Sequence, residues 1–275
     1  MAEIKASDVG KLRKMTGAGM MDCKKALTEA QGDFDNAVKL IRERGLAIAN
    51  KRADREATEG ACVTKVSADG KFAVALTINC ETDFVAKNDD FLGFANQIAD
   101  IAIANKCASM EDLMACDFEG KPLNEQILVK SGVVGEKLDL SKYETLVGEF
   151  VVPYIHSNNK IATLVALNKV VDAQVGRDVA MQIAAMNPVS LDKDDVPAEI
   201  IERELEIGRQ QAANEGKPEA MLDKIAQGKL GKFFKESTLL QQAFIKDGKM
   251  SVVQYLQSVD KDLTATAFKR FSLGE

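Results

Sequence analysis

Asn79-Cys80-Glu81-Thr82-Asp83-Phe84-Val85-Ala86-Lys87-Asn88 is the stretch on which the reading of this chain turns. Ahead of it, Lys71-Phe72-Ala73-Val74-Ala75-Leu76-Thr77-Ile78 alternates in the manner of a half-buried strand. Behind it, Asp89-Asp90-Phe91-Leu92-Gly93-Phe94-Ala95-Asn96-Gln97-Ile98-Ala99 has the spacing of an amphipathic helix, with acids in the first turn where the helix dipole favours them. Phe84 therefore falls in a connection, between Asp83 and Lys87. An aromatic there has two readings: a plug folded back on its own core, or an exposed anchor for a partner's pocket.

Working outward, the order of elements recurs. Ala61 to Val66 and Phe72 to Ile78 read as two strands joined by Ser67-Ala68-Asp69-Gly70, and Asp-Gly between alternating runs is a hairpin signal. A helix to about Asn105 follows, then a helical stretch with turns from Ser109 to Ser131. From Gly148 the pattern returns: a strand Glu149 to His156, a turn at Ser157-Asn158-Asn159, a strand Lys160 to Leu167, and a helix around Arg177 to Ala184. Lys71 aligns with Lys160, 89 residues on, and Gln97-Ile98-Ala99 with Gln182-Ile183-Ala184, 85 residues on. The first copy thus carries four more residues between its second strand and its helix, where Thr82-Asp83-Phe84-Val85 lies. A duplicated unit whose copies differ mainly at one loop assigns that loop to function, which favours the anchor reading of Phe84.

The flanks complete the plan. Ser7 to about Arg55 reads as three short helices: Val9, Leu12 and Met15 on the first, Met20, Cys23, Ala26, Leu27 and Ala30 on the second, and Phe34, Ala37, Val38 and Ile41 on a third that ends near Gly45. They make a small bundle of the ubiquitin-associated type. Lys51-Arg52-Ala53-Asp54-Arg55-Glu56 follows as a solvated helical linker. Within the second copy, residues 197–230 read as an inserted antiparallel helical hairpin, broken at Asn214-Glu215-Gly216-Lys217-Pro218. Its apolar stripe is either satisfied by its own partner arm or seats a second copy of the chain. A helix at Ser251 to Leu256 and a strand near Ala265 to Phe271 close the chain. The expected fold is α+β, with a bundle and linker over 1–56, a first core unit over 57–142, and a second over 143–275 that carries the hairpin.

Composition narrows the chemistry. A formal net charge of -6 argues against a nucleic-acid-binding surface. No run approaches the roughly 18 apolar residues that cross a bilayer, and Met1-Ala2-Glu3-Ile4-Lys5 begins no signal-peptide core, so the expected location is the cytoplasm. The five cysteines are odd in number and none shows C-x-x-C spacing, which indicates neither a disulfide framework nor a zinc site. His156 is the single histidine, which removes most acid–base relays and weighs against an enzyme. Thr16-Gly17-Ala18-Gly19-Met20-Met21-Asp22-Cys23-Lys24-Lys25 invites a phosphate-loop reading but fails it: the motif needs Gly before Lys and a hydroxyl after it, and a preceding strand. Of adjacent Met20 and Met21 one turn of helix can bury only one, leaving the other for a partner.

Leu12-Arg13 with Thr16-Gly17-Ala18-Gly19-Met20-Met21-Asp22-Cys23-Lys24-Lys25-Ala26-Leu27, followed by Thr82-Asp83-Phe84-Val85-Ala86-Lys87, resembles bacterial translation elongation factor Ts, and with the repeat and the hairpin the resemblance covers nearly the whole chain. The family implies a nucleotide exchange factor for the GTPase elongation factor Tu, with no cofactor or metal of its own and a hairpin used by some members to dimerise. By that resemblance Thr82, Asp83, Phe84 and Val85 disturb the partner's Mg²⁺. Arg13, Met20, Met21, Val134, Gly135 and His156 match positions that face the partner. Two other classes remain open at this point, a phosphate-handling enzyme and an assembly protein that dimerises through the hairpin.

Overall fold

A computed structural model describes residues 4–157 and 159–274; Met1-Ala2-Glu3, Asn158 in the middle of the expected turn, and Glu275 lie outside the described residues. The fold is mixed, helices with antiparallel sheets. Three helices open it: α1 (Ala6–Thr16), α2 (Met20–Glu29) and α3 (Phe34–Lys51). Gly17 ends α1 in the left-handed region at φ 70°, which costs glycine little. Asp33 caps α3 by accepting from the Asn36 N–H at 3.0 Å. Val9, Leu12, Cys23, Ala26, Leu27, Ala37 and Ile41 close on one another as a small core.

Next come β1 (Glu59–Val66), β2 (Phe72–Cys80), α4 (Asp83–Ala86), α5 (Asp89–Asn105), α6 (Met110–Ala115), the two-residue strands β3 (Asp117–Phe118) and β4 (Lys121–Pro122), α7 (Leu123–Val134) and β5 (Asp139–Val147). The remainder is β6 (Phe150–His156), β7 (Ile161–Leu167), α8 (Ala173–Met186), the paired helices α9 (Ala198–Asn214) and α10 (Glu219–Ser237), β8 (Ala243–Phe244), β9 (Asp247–Ser251), α11 (Val252–Val259) and β10 (Ala265–Ser272). Two three-stranded antiparallel sheets result, ordered β1-β2-β5 and β10-β7-β6. Each is a hairpin whose second strand also pairs with a strand from later in the chain, so the repeat is strand, strand, helix, strand.

The sheets pack face to face, and the strand sequences show how. On β2, Val74, Leu76 and Ile78 join Phe91, Ala95 and Ile98 of α5 in one core. The alternate residues Ala73 and Ala75 meet Ala162, Leu164 and Ala166 of β7 in a second core between the sheets. Val165 and Leu167 of β7 then face Val179 and Ile183 of α8 in a third. The order is helix, sheet, sheet, helix. Alanines on the facing sides let the sheets approach, while branched residues fill the space under the helices. β2 is accordingly buried on both faces and is not the half-buried strand that its alternation predicts.

Other expectations are revised by packing. α3 runs on past Gly45 to Lys51, because Gly45 lies against α7: a Cβ built on Gly132 would stand 2.1 Å from the Gly45 Cα. Gly45 is thus a crossing point and not a stop. The segment after Lys51 leaves the helix in turns, and Arg52 and Arg55 are ion-paired and not simply solvated. The division expected after residue 142 falls inside β5, which pairs with β2 from Asn79↔Asp139 to Phe72↔Val147. The return arm of the hairpin extends beyond 230 to Ser237. Gly208 on α9 sits 3.0 Å, as a built Cβ, from the Ala226 Cα on α10, so the arms touch closely; Ala212 and Ala226 are buried between them, whereas Ile207 and Met221 are exposed.

The crossing of α3 and α7 is asymmetric. A Cβ on Gly45 would make only ordinary 3.5 Å contacts. Gly132→Ala is expected to destabilise the protein by about 1–3 kcal/mol through overpacking, while Gly45→Ala is expected to be neutral or stabilising by up to about 1 kcal/mol through helix propensity. Urea unfolding of both variants measures this, and equal effects would contradict the crossing geometry.

Candidate functional site

The stretch around residue 84 is a single turn of helix where the sequence reading has a loop. Thr82 is its N-cap, in extended backbone at φ -127° and ψ 154°, with its hydroxyl oxygen accepting from the Val85 N–H at 3.4 Å. The Ala86 and Lys87 N–H groups donate to the Thr82 and Asp83 carbonyls. Successive residues point about 100° apart on such a turn. Val85 and Ala86 pack against the core under α5, and Phe84 is left 85% exposed. The plug reading of Phe84 is therefore overturned. Leaving a phenyl ring in water forgoes roughly 1.5–3 kcal/mol of burial.

Charge is arranged around the ring. Lys87 Nζ lies 2.6 Å from Asp83 Oδ2, one turn away, and this hydrogen bond holds the Asp83 carboxyl below the usual carboxylate range and raises Lys87. Both groups are solvated, so the pair orients more than it stabilises. Asn88 closes the motif by capping α5, its side chain accepting from the Asp90 N–H at 2.8 Å. Below the turn, burial, helped by the negative charge of Glu136, pushes the Cys80 thiol up to about 12, which leaves it an inert filler.

The turn is held from α7. Gly135 ends that helix in the left-handed region at φ 80°, and the next residue, Glu136, reaches Thr82. Its Oε2 accepts from the Glu81 and Thr82 N–H groups at 3.1 and 3.0 Å, and its Oε1 accepts from the Thr82 hydroxyl at 2.6 Å. Glu81 answers in the other direction. Its carboxylate accepts from the Lys137 N–H at 2.7 Å, from Arg52 Nη1 at 2.9 and 3.2 Å, and from Arg55 Nη1 at 2.9 Å. Burial opposes ionisation of Glu81, but these donors outweigh it and hold its carboxyl down at about 2. Glu81, Glu136, Arg52 and Arg55 are the residues that sequence reasoning missed. The signal available was thin: Glu81 lies inside the quoted stretch and Glu136 directly follows Val134-Gly135.

The other predicted residues gather around this turn to different degrees. Val134 and Gly135 are adjacent to it through Glu136, with Val134 half-buried against the core. His156 ends β6, exposed, with Nδ1 2.8 Å from the Tyr154 hydroxyl. The bend after it is tied to β1: Cys62 N–H donates to the Asn159 carbonyl, and Lys160 pairs with Glu59. Glu59 in turn sits opposite Cys80, where β2 ends. His156 is thereby carried to the end of the sheets from which α4 leaves. Arg13, Met20 and Met21 stand on the bundle, and both methionines are exposed, at 50% and 63%, where helix geometry alone required only that one be. Arg13 and Met20 border a cleft of about 690 Å³ whose far wall includes Asp90, Phe94 and Val133. Asp90 lies in the first turn of α5, just beyond α4.

The phosphate-loop alternative finds no support in this geometry. The Gly17 N–H is spent on the Arg13 carbonyl, and Asp22 Oδ2 lies 3.1 Å from a Cβ built on Gly19, so a carboxylate stands at the start of α2 where a phosphate would have to sit. Among the described residues no group of three His, Cys, Asp or Glu side chains assembles as a metal site. No helix of the described residues is long and apolar enough to cross a membrane.

The most exposed large apolar side chain of this α+β body is thus a braced, outward aromatic, and the candidate site is a projection and not a cavity. The family model for elongation factor Ts matches residues 81–275. Over their full lengths the chain is 50% identical to elongation factor Ts of Christiangramia forsetii and 49% identical to that of Flavobacterium psychrophilum. It is 52% identical to that of Amoebophilus asiaticus, covering 98% of this chain and 99% of the relative. The chain belongs to the elongation factor Ts family, translation elongation factors.

Glu81 supplies a pH test of the brace. Its folded-state pKa lies below its ordinary value of 4.5, so its contribution to stability is fully present above that pH and drains away as the pH falls toward about 2. The stability difference between the wild type and Glu81→Gln, followed by urea unfolding across pH, is expected to be constant above pH 4.5 and to shrink below it. A difference that holds constant to the acid limit would contradict the ion-paired geometry.

Proposed function

We propose that this chain is a guanine nucleotide exchange factor that binds elongation factor Tu carrying GDP and promotes GDP release. In this reading the turn Thr82-Asp83-Phe84-Val85 enters the partner near its nucleotide and disturbs the Mg²⁺ there, after which GTP rebinds. Arg13, Met20, Met21, Val134, Gly135 and His156 provide the wider docking surface. The observation that carries the reading is the 85% exposure of Phe84 on a turn whose neighbours are packed and braced. Family membership supports the choice of partner. The finer division belongs to the same reading, with its bounds moved to the element ends: a ubiquitin-associated-like bundle and linker over 1–56, a first core unit that closes with β5, a second that begins with β6, and a hairpin made by α9 and α10.

The physics is that of differential binding. A GTPase holds GDP through its phosphate cradle and the Mg²⁺ that neutralises it, so displacing the ion removes a principal contact. The protein needs no cofactor and no catalytic group of its own, since GDP and Mg²⁺ belong to the partner, and its place of action is the cytoplasm where that partner works. Burying one Phe supplies roughly 1.5–3 kcal/mol, about one to two powers of ten, so the methionine pair and the second sheet contribute the rest. Coupling is reciprocal: the factor weakens nucleotide binding by the same ratio as nucleotide weakens binding of the factor.

Phe84→Ala is expected to slow release of a fluorescent GDP from elongation factor Tu by about one to two powers of ten. The circular dichroism and melting temperature of this protein should be unchanged, because the ring is exposed. An unaltered release rate would contradict the anchor role. The hairpin is the proposed seat of a second copy, supported by the exposed Ile207 and Met221 on its arms. Light scattering of Met221→Glu is expected to show a smaller species than the wild type, and identical masses would contradict dimerisation there.

A further inference from the structure

We propose that Glu136 is a positioning residue for the exchange surface: it selects the hydroxyl orientation of Thr82 and so fixes the direction in which Phe84 leaves the protein. This rests on the exchange reading above. A threonine hydroxyl is both donor and acceptor, and it caps a helix only when its lone pairs face the helix N–H groups. Here Glu136 Oε1 takes the hydroxyl hydrogen at 2.6 Å. The lone pairs are thereby left for the Val85 N–H. A carboxylate, being acceptor-only, imposes that polarity, whereas an amide in its place would offer N–H groups and compete for the same lone pairs. The second oxygen grips the two main-chain N–H groups immediately before the turn.

The grip starts from a rigid base. Ser131 Oγ donates to the Glu136 carbonyl at 2.5 Å, and the Leu138 N–H donates to Ser131 Oγ. Gly135 supplies the left-handed residue that swings Glu136 out of α7 toward Thr82. A four-residue helix has no stability of its own to hold a direction. Val85 and Ala86 anchor one side of it, and Glu136 fixes its start. Glu136 thus acts through Thr82 on Phe84.

The test is a double-mutant cycle in the full chain, reading release of a fluorescent GDP from elongation factor Tu across a range of factor concentrations. Glu136→Ala is expected to lower the maximal release rate about tenfold, the scale of one lost charge-assisted hydrogen bond, with the half-saturating concentration changed less than about threefold because the bundle still docks. Glu136→Gln should recover part of the rate, since it keeps one acceptor for the N–H pair. In a Phe84→Ala background Glu136→Ala should have almost no further effect. Thr82→Val, which removes only the hydroxyl, should reproduce the loss should Glu136→Ala fail to fold. A maximal rate untouched by Glu136→Ala or, where that variant does not fold, by Thr82→Val, or one lowered equally with and without Phe84, would overturn the proposal. If Phe84→Ala itself left release unchanged, the exchange reading would fall, and that result is distinct from a slowed Phe84→Ala beside an unaffected Glu136→Ala.

Discussion

Two carboxylates bind across to each other's main chain, and the site depends on that exchange. Glu136 holds the N–H groups of residues 81 and 82, and Glu81 holds the N–H of residue 137. Neither oxygen pair is idle: Glu81 also collects both arginines that follow α3. A half-buried carboxylate with too few donors would be costly, and one with several charge-assisted partners is strongly held. The consequence is mechanical. The end of β2, the end of α7 and the exit from the bundle meet at one knot, and the aromatic turn projects from it.

α7 is the element common to both halves of the proposed docking surface. Its Gly132 lets α3 approach to backbone contact, which seats the bundle carrying Met20 and Met21. Four residues later its continuation grips the turn carrying Phe84. Two groups of exposed apolar side chains, far apart in sequence, are thus hung from one helix. Pre-organisation of this kind reduces the ordering cost on binding, so in the proposed exchange reaction more of the interaction free energy would remain available to loosen a nucleotide. The ring that is left in water in the free protein is the counterpart of that gain.

The parts of the fold that sequence made legible are those governed by local pattern. The hairpin at Asp69-Gly70, the helix from Asp89 and the duplication all follow from alternation, capping and spacing. β5 was not legible, for a definite reason. Leu140 and Leu146 are six residues apart and on a regular strand would share a face, yet one lies under α5 and the other between the sheets. A bulge at Ser141, where the pairing passes from Thr77↔Lys142 to Ile78↔Leu140, reverses the alternation. Phe84 was legible as an anomaly because an aromatic in a connection lacks a local role. Glu136 was not, since its partners lie 54 and 55 residues away and a lone acid in a turn looks solvated. Arg52 and Arg55 were obscured in the same way, as members of a charged run.

Exchange by a docked wedge differs from stoichiometric capture in one observable. A factor that lowers the barrier and departs must act many times. Release of fluorescent GDP from elongation factor Tu should therefore be followed with this chain present at a small fraction of the partner's concentration and unlabelled nucleotide in excess. The expected result is complete release, at a rate rising in proportion to the amount of chain. Release that stops at one equivalent of nucleotide per chain, or a rate equal to that without the chain, would contradict the account.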